Sequence, residues 1–184
     1  GRGIVREKTS DINGALNDYT KGIDLEPNYP NGYSYRGRLR VDTKDYQGAI
    51  SDFNKVISLE PKNVSAYINR GLAKSRVEDI KGAIADYNKA IELDPKNSLV
   101  YNNRGFAKES TGDLKGALTD YENAITLDPS NEMAKNNLAR LKEKIQNNQA
   151  AVKPTPTPLP TPTAKPTPTN IPAGKEVEIF NNMN

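Results

Sequence analysis

The sequence predicts an all-α fold, a two-helix unit repeated along the chain and stacked into a solenoid. Three observations predict it. Nearly the same string is used twice, YINRGLAK at 67–74 and YNNRGFAK at 101–108. Proline recurs at Pro27, Pro61, Pro95 and Pro129, each 34 residues after the last. Within a unit the apolar residues follow helical spacing, as in Ile80, Ala83, Ile84, Tyr87, Ala90 and Ile91, which places one stripe on one helix face. A catalytic string normally occurs once, so repetition speaks for architecture, and a period in this range marks a helical repeat array.

Each column has a physical reason. Gly3, Gly37, Gly71 and Gly105 share a position on the first helix of each unit. A glycine there costs about 1 kcal/mol of helix propensity, which close approach of a second helix offsets. Asp11, Asp45, Asp79 and Asp113 precede the second helices as N-caps, accepting from otherwise orphaned backbone N–H groups. Ala15, Ala49, Ala83 and Ala117, with the aromatic column Tyr19, Phe53, Tyr87 and Tyr121, belong to the buried stripe. The prolines stop the second helices, and Asn63, Asn97 and Asn131 suit the start of the next unit.

One hairpin cannot bury its stripe alone, so the units must stack. Three are complete, at 30–63, 64–97 and 98–131, and residues 1–29 form a partial unit whose first helix begins at Gly1, where the others have their sixth residue. We read the chain as a piece of a longer protein. Residues 132–149 carry Ala134, Leu138, Leu141 and Ile145 on one stripe and form a capping helix. Residues 150–173 alternate Pro and Thr, which removes backbone donors and leaves little to bury, so they form a disordered, extended spacer. Residues 174–184, with Val177, Ile179 and Phe180, read as the start of a further, β-rich domain.

With several columns in register over residues 1–148, the chain resembles the tetratricopeptide repeat (TPR) family. The resemblance implies a right-handed superhelical array whose first helices line a concave groove that takes an extended peptide.

Composition narrows the chemistry. The chain has no Cys, His or Trp, which removes thiolate nucleophiles, disulfides, imidazole bases and most transition-metal ligand sets. It has no phosphate-binding glycine loop, no calcium-loop pattern and no apolar run long enough for a membrane span. No convergent acid, base and nucleophile set emerges, so we expect neither an enzyme, nor a cofactor, nor a small-molecule substrate. The net charge of +3 is small, and basic residues are interleaved with acids, which argues against nucleic acid. The partner class is therefore a protein or peptide. Two alternatives stay open: an accessory repeat domain tethered to a downstream catalytic or carbohydrate-binding domain, and, behind it, RNA binding. The Pro-Thr spacer points to an extracytoplasmic or cell-surface location.

The Arg column (Arg2, Arg36, Arg70, Arg104) is answered 16 residues later by Asp18, Asp52, Asp86 and Asp120, and reads as an ion-pair ladder between helices. The candidate binding residues lie on another stripe of the first helices. Asn69, Asn103 and Asn137 stand one repeat apart, with Tyr35 in the corresponding place of the second unit. The family resemblance implies that Asn here hydrogen-bonds a peptide backbone, since an amide both donates and accepts. The alternative is an Asn that stays solvated between helices. Specificity would come from the same stripe: Ser34, Arg38 and Asp42, then Ser65, Ile68, Leu72 and Arg76, then Leu99, Asn102, Phe106 and Glu109. Leu72 and Phe106 are its apolar members, suited to a partner's apolar anchors. TPR domains that clamp a terminal carboxylate place Lys and Asn on the first repeat, Asn on the second, and Lys and Arg on the third. Here those columns hold Ser34 and Arg38, then Asn69, then Leu99 and Asn103, which argues against a clamp.

Overall fold

Two helices per unit, one of 13 residues and one of 14, follow from where the breakers and caps fall. The computed structural model describes residues 11–151, and among them every regular element is helical. In chain order these are α1 (Ile12–Leu25), α2 (Pro30–Asp42), α3 (Tyr46–Leu59), α4 (Val64–Arg76), α5 (Ile80–Leu93), α6 (Ser98–Ser110), α7 (Leu114–Leu127) and α8 (Glu132–Ala151). The predicted opening helix, with Arg2 and Gly3, the Pro-Thr spacer from residue 152 onward and the β-rich start all lie outside the described residues.

The turn inside each hairpin uses one aspartate twice. The backbone N–H groups of Asp45, Asp79 and Asp113 reach back to the carbonyls of Arg40, Lys74 and Lys108 at 2.8 to 3.0 Å, closing the first helix across a residue with positive φ. Their carboxylates then accept from Gly48, Gly82 and Gly116 N–H at 2.9 to 3.0 Å, opening the second helix. Two helix ends are thereby satisfied over a few residues. At the unit starts Asn63 and Asn131 accept from the N–H of Ala66 and Ala134, both at 3.0 Å, whereas Asn97 makes no side-chain cap. Neighbouring turns gain a further tie, because Tyr33, Tyr67 and Tyr101 donate their hydroxyls to the carbonyls of Pro27, Pro61 and Pro95.

The glycine column is where the two helices of a unit meet. A Cβ on Gly71 would stand 2.7 Å from the Tyr87 ring, one on Gly105 2.8 Å from Tyr121, and one on Gly37 3.0 Å from Phe53. Those rings are fully buried. A buried phenol needs a partner, and the partner varies with the ring. Tyr121 donates to Glu109 at 3.1 Å, Tyr87 bonds Ser75, and opposite Phe53, which has no hydroxyl, the same column holds Val41, packed on the Phe53 cluster. The core thus runs as a chain of clusters, closed by Leu138, Leu141 and Ile145 of α8 against Tyr121.

Each helix packs on the next in sequence. In addition, first helices touch across units (α2 with α4, α4 with α6, α6 with α8), while the second helices of different units do not. The first helices therefore share the more crowded side of the stack, and their free faces form one continuous surface.

Candidate functional site

Two stripes run along the first helices, and they differ in kind. The first is the arginine ladder. Arg36, Arg70 and Arg104 each grip the aspartate of their own second helix with two donors, as in Arg104 Nε and Nη2 to Asp120 at 2.9 and 2.6 Å. A second cation joins each aspartate one turn later: Arg40 on Asp52 (2.8 Å), Lys74 on Asp86 (2.9 Å) and Lys108 on Asp120 (2.8 Å). The third donor of the same arginines reaches the previous unit, Arg70 to Asn54 and Arg104 to Asn88 at 2.7 Å, and Arg36 to Thr20 at 3.1 Å. Each guanidinium also lies 5.5 to 5.8 Å from a tyrosine ring of its own helix. One side chain thus joins both helices of its unit and the unit before it. With Asp52, Asp86 and Asp120 all but fully buried, the ladder is structural.

The ladder also sorts charge. Helices α2, α4 and α6 hold eight Lys and Arg against two acids, whereas α1, α3, α5 and α7 hold five against seven. Much of the cationic excess is spent on the buried aspartates.

The second stripe carries the predicted binding residues. Arg38 and Arg76 are exposed, as are Leu99 (48%) and Phe106 (56%). Tyr35, Asn69, Leu72, Asn103 and Asn137 are half-buried on the same succession of helices. Ile68 is half-buried too, packed on the Tyr67–Tyr87 cluster, and Tyr35 stacks on Tyr19 with ring centroids 5.7 Å apart. Asn69 donates its amide to Ser65 O of its own helix at 2.9 Å, which leaves its oxygen as the outward acceptor.

Asn102 is different from what the stripe predicts. It is 2% exposed, because α8 packs over it: Asn137 Nδ2 donates to its oxygen at 2.9 Å, and its own Nδ2 faces Met133 Sδ at 3.3 Å and Asn103 Oδ1 at 3.5 Å. Glu109 is covered as well. It accepts both Nη groups of Arg140 at 2.8 Å and the Tyr121 hydroxyl, with Lys144 Nζ 3.6 Å away. Burial pushes the Glu109 carboxyl up, but Arg140, Tyr121 and Lys144 together hold it below its ordinary value. Burial and the charge on Glu109 push the Tyr121 phenol well up, so it acts only as a donor. Both residues serve to fasten the cap.

Sequence reasoning missed the cap's contribution to the stripe. Counting one repeat on from Leu99 and Phe106 gives Met133 and Arg140, both exposed; the same step had found Asn137 and could have found these. Lys144, one turn past Arg140, is half-exposed.

Among the described residues no cluster of acidic side chains could hold a metal ion, and no helix is long and apolar enough to cross a membrane.

Family models described as "TPR repeat" and "Tetratricopeptide repeat" match residues 78–112, and residues 33–63 and 99–131, respectively. No curated protein matches the chain. Among solved structures it is similar to MamA, at 24% identity over 83% of this chain and 89% of that chain with a TM-score of 0.76, a likeness of fold. It is also similar to the first TPR of Spaghetti (RPAP3) bound to the HSP90 peptide SRMEEVD, at 26% identity over 64% and 93%, TM-score 0.62. The second TPR domain of human RPAP3, in complex with the HSP70 peptide SGPTIEEVD, matches at 28% identity over 60% and 92%, TM-score 0.58.

Proposed function

Since the repeats belong to the tetratricopeptide repeat family, a family of protein-interaction scaffolds, we propose that this array binds an extended segment of a partner protein along the free face of its first helices. The observation that carries the reading is the contrast between the two stripes. The ladder stripe satisfies its own polar groups, whereas the other stripe leaves Leu99, Phe106 and Met133 in water beside half-buried amides at one-repeat spacing. The peptides held by the RPAP3 domains support the same use of the fold here. Ser34, Arg38 and Leu99 at the clamp columns argue against capture of a terminal carboxylate.

Asn103 and Asn69 supply backbone contacts that tolerate many sequences, and Phe106 and Leu72 supply selectivity. Asn102 takes no part, because α8 covers it. Nucleic acid is disfavoured on the same page of geometry, since the arginines that recur in every unit are already engaged with Asp52, Asp86 and Asp120. The test uses a peptide selected from a random library and measured against variants. Asn103→Ala should weaken it by about 1 kcal/mol and Phe106→Ala by about 2 kcal/mol, with helical content unchanged. Normal binding by both variants, together with loss in Lys81→Ala or Lys115→Ala on the second helices, would place the partner on the opposite face and sink the proposal.

A further inference from the structure

The groove stripe is not uniform along the stack. In the column of Leu99 the residues read Asn31, Ser65, Leu99, Met133, and in the column of Phe106 they read Arg38, Leu72, Phe106, Arg140. Exposed apolar surface is therefore concentrated where α6 meets α8, with Leu99 48%, Phe106 56% and Met133 59% exposed. The seam is held from beneath by the Asn137–Asn102 bond and by Arg140 on Glu109, so its side chains stand on a fixed base.

The seam's charge is uneven too. Glu109 is the one acid facing Arg140 and Lys144. Arg140 makes a two-pronged contact at 2.8 Å, whereas Lys144 stands 3.6 Å off and is half-exposed. One positive charge is in excess, and Lys144 is the group able to turn outward to a ligand.

Spacing fixes the pattern. Leu99 and Phe106 are seven residues apart on one helix face, about 10 Å at 1.5 Å per residue. An extended chain covers that distance in about three residues. We propose that the α6/α8 seam reads an internal, extended stretch of a partner protein in which two bulky apolar residues stand three positions apart and a carboxylate follows the second. Leu99 with Met133 takes the first apolar side chain, Phe106 takes the second, and Lys144 takes the acid. This rests on the groove reading and adds a location, a ligand pattern and a polarity to it.

The experiment is a selection on the full 184-residue chain from a library of random twelve-residue peptides flanked on both sides. The enriched sequences are then remade with blocked ends and measured by fluorescence anisotropy. The expected result is enrichment of the apolar, two-residue gap, apolar, acid pattern. Phe106→Ala should weaken such a peptide about 30-fold. Lys144→Gln should weaken it up to about 5-fold and abolish its preference over the same peptide with Gln in place of the acid. Circular dichroism confirms that each variant is folded, and Lys144→Gln leaves the Arg140–Glu109 pair intact. Peptides that ignore Phe106→Ala and Lys144→Gln but are lost with Asn69→Ala overturn the seam inference and leave the groove reading standing. Enriched peptides that require a free terminal carboxylate also overturn it. A library with no binders, or binders indifferent to all three variants, overturns both.

Discussion

The arginine ladder and the groove stripe occupy the same helices, and they use sequence in opposite ways. Along the ladder every unit repeats its solution: an arginine, an aspartate 16 residues on, a second cation and a tyrosine ring. Along the groove the columns change from unit to unit, as in Arg38, Leu72, Phe106 and Arg140. Internal repetition marks positions whose partner lies inside the array, since each unit presents the same neighbours. Variation marks positions whose partner lies outside it. The comparison can be tested because the two stripes should fail differently when mutated.

The largest effect on stability should come from the ladder. Asp120 is 1% exposed and takes both Arg104 and Lys108. Asp120→Ala leaves two partly buried cations facing each other, and we expect a loss of about 3 kcal/mol, read as a lower urea midpoint. Phe106→Ala, on the groove, should shift that midpoint little. Equal losses would break the distinction between the stripes.

Next comes the helix contact beneath both stripes. Gly71→Val sets a branched side chain where a bare Cβ already lies 2.7 Å from the Tyr87 ring, and overpacking should cost about 2 kcal/mol. Lys89→Ala, which removes only an exposed pair with Glu92, is the control and should change stability by less than about 0.5 kcal/mol. If the two variants melt alike, the buried faces are not those described.

The cap lock sharpens the comparison, because there a groove-stripe position has been turned to structural use. Glu109 has a folded-state acidity below its ordinary value. A depressed carboxyl contributes stability that is present above its unfolded value and lost as pH falls through the folded one. Wild type should therefore lose part of its stability on acidification below the usual glutamate range, and Glu109→Gln should be less stable at neutral pH with a flatter acid limb. The difference is up to about 1 kcal/mol, since Arg140 is half-exposed and the pair is screened by solvent. Parallel acid limbs in the two proteins would show that Glu109 does not fasten α8.

Much of this was legible in the sequence, and the exceptions share a cause. The hairpin, its caps, the Gly71–Tyr87 approach and the Arg–Asp ladder all follow from a 34-residue step and helical spacing, because each partner lies in the same unit or the next. Asn102 and Glu109 were misplaced because they sit in the last unit. Their columns are open elsewhere, but α8 has no second helix after it and lies across α6 by bonding Asn102 and Glu109 directly. Asn97 fits the cap pattern of Asn63 and Asn131 yet makes no cap, and nothing in the structure explains it.

The smallest predicted effect concerns a position that repeats in conformation but not in residue type. The hairpin turns pass through positive φ at Lys44 (65°), Glu78 (64°) and Gly112 (84°), one repeat apart. Only glycine takes this region without steric cost, which for other L-residues is about 1 to 2 kcal/mol. Glycine also gives the unfolded chain more freedom, a loss on folding of about 0.4 to 1 kcal/mol. The two terms nearly cancel, so Glu78→Gly should stabilise the array by about 0.5 kcal/mol, while Gly112→Ala, where only the steric term acts against the chain, should destabilise it by more than that. Neither turn touches the groove stripe, so peptide affinity should be the same in both variants and in wild type. A change in affinity without a change in helical content would mean that the turns govern how adjacent first helices align. The two stripes would then be coupled, and the reading that separates them would have to be abandoned.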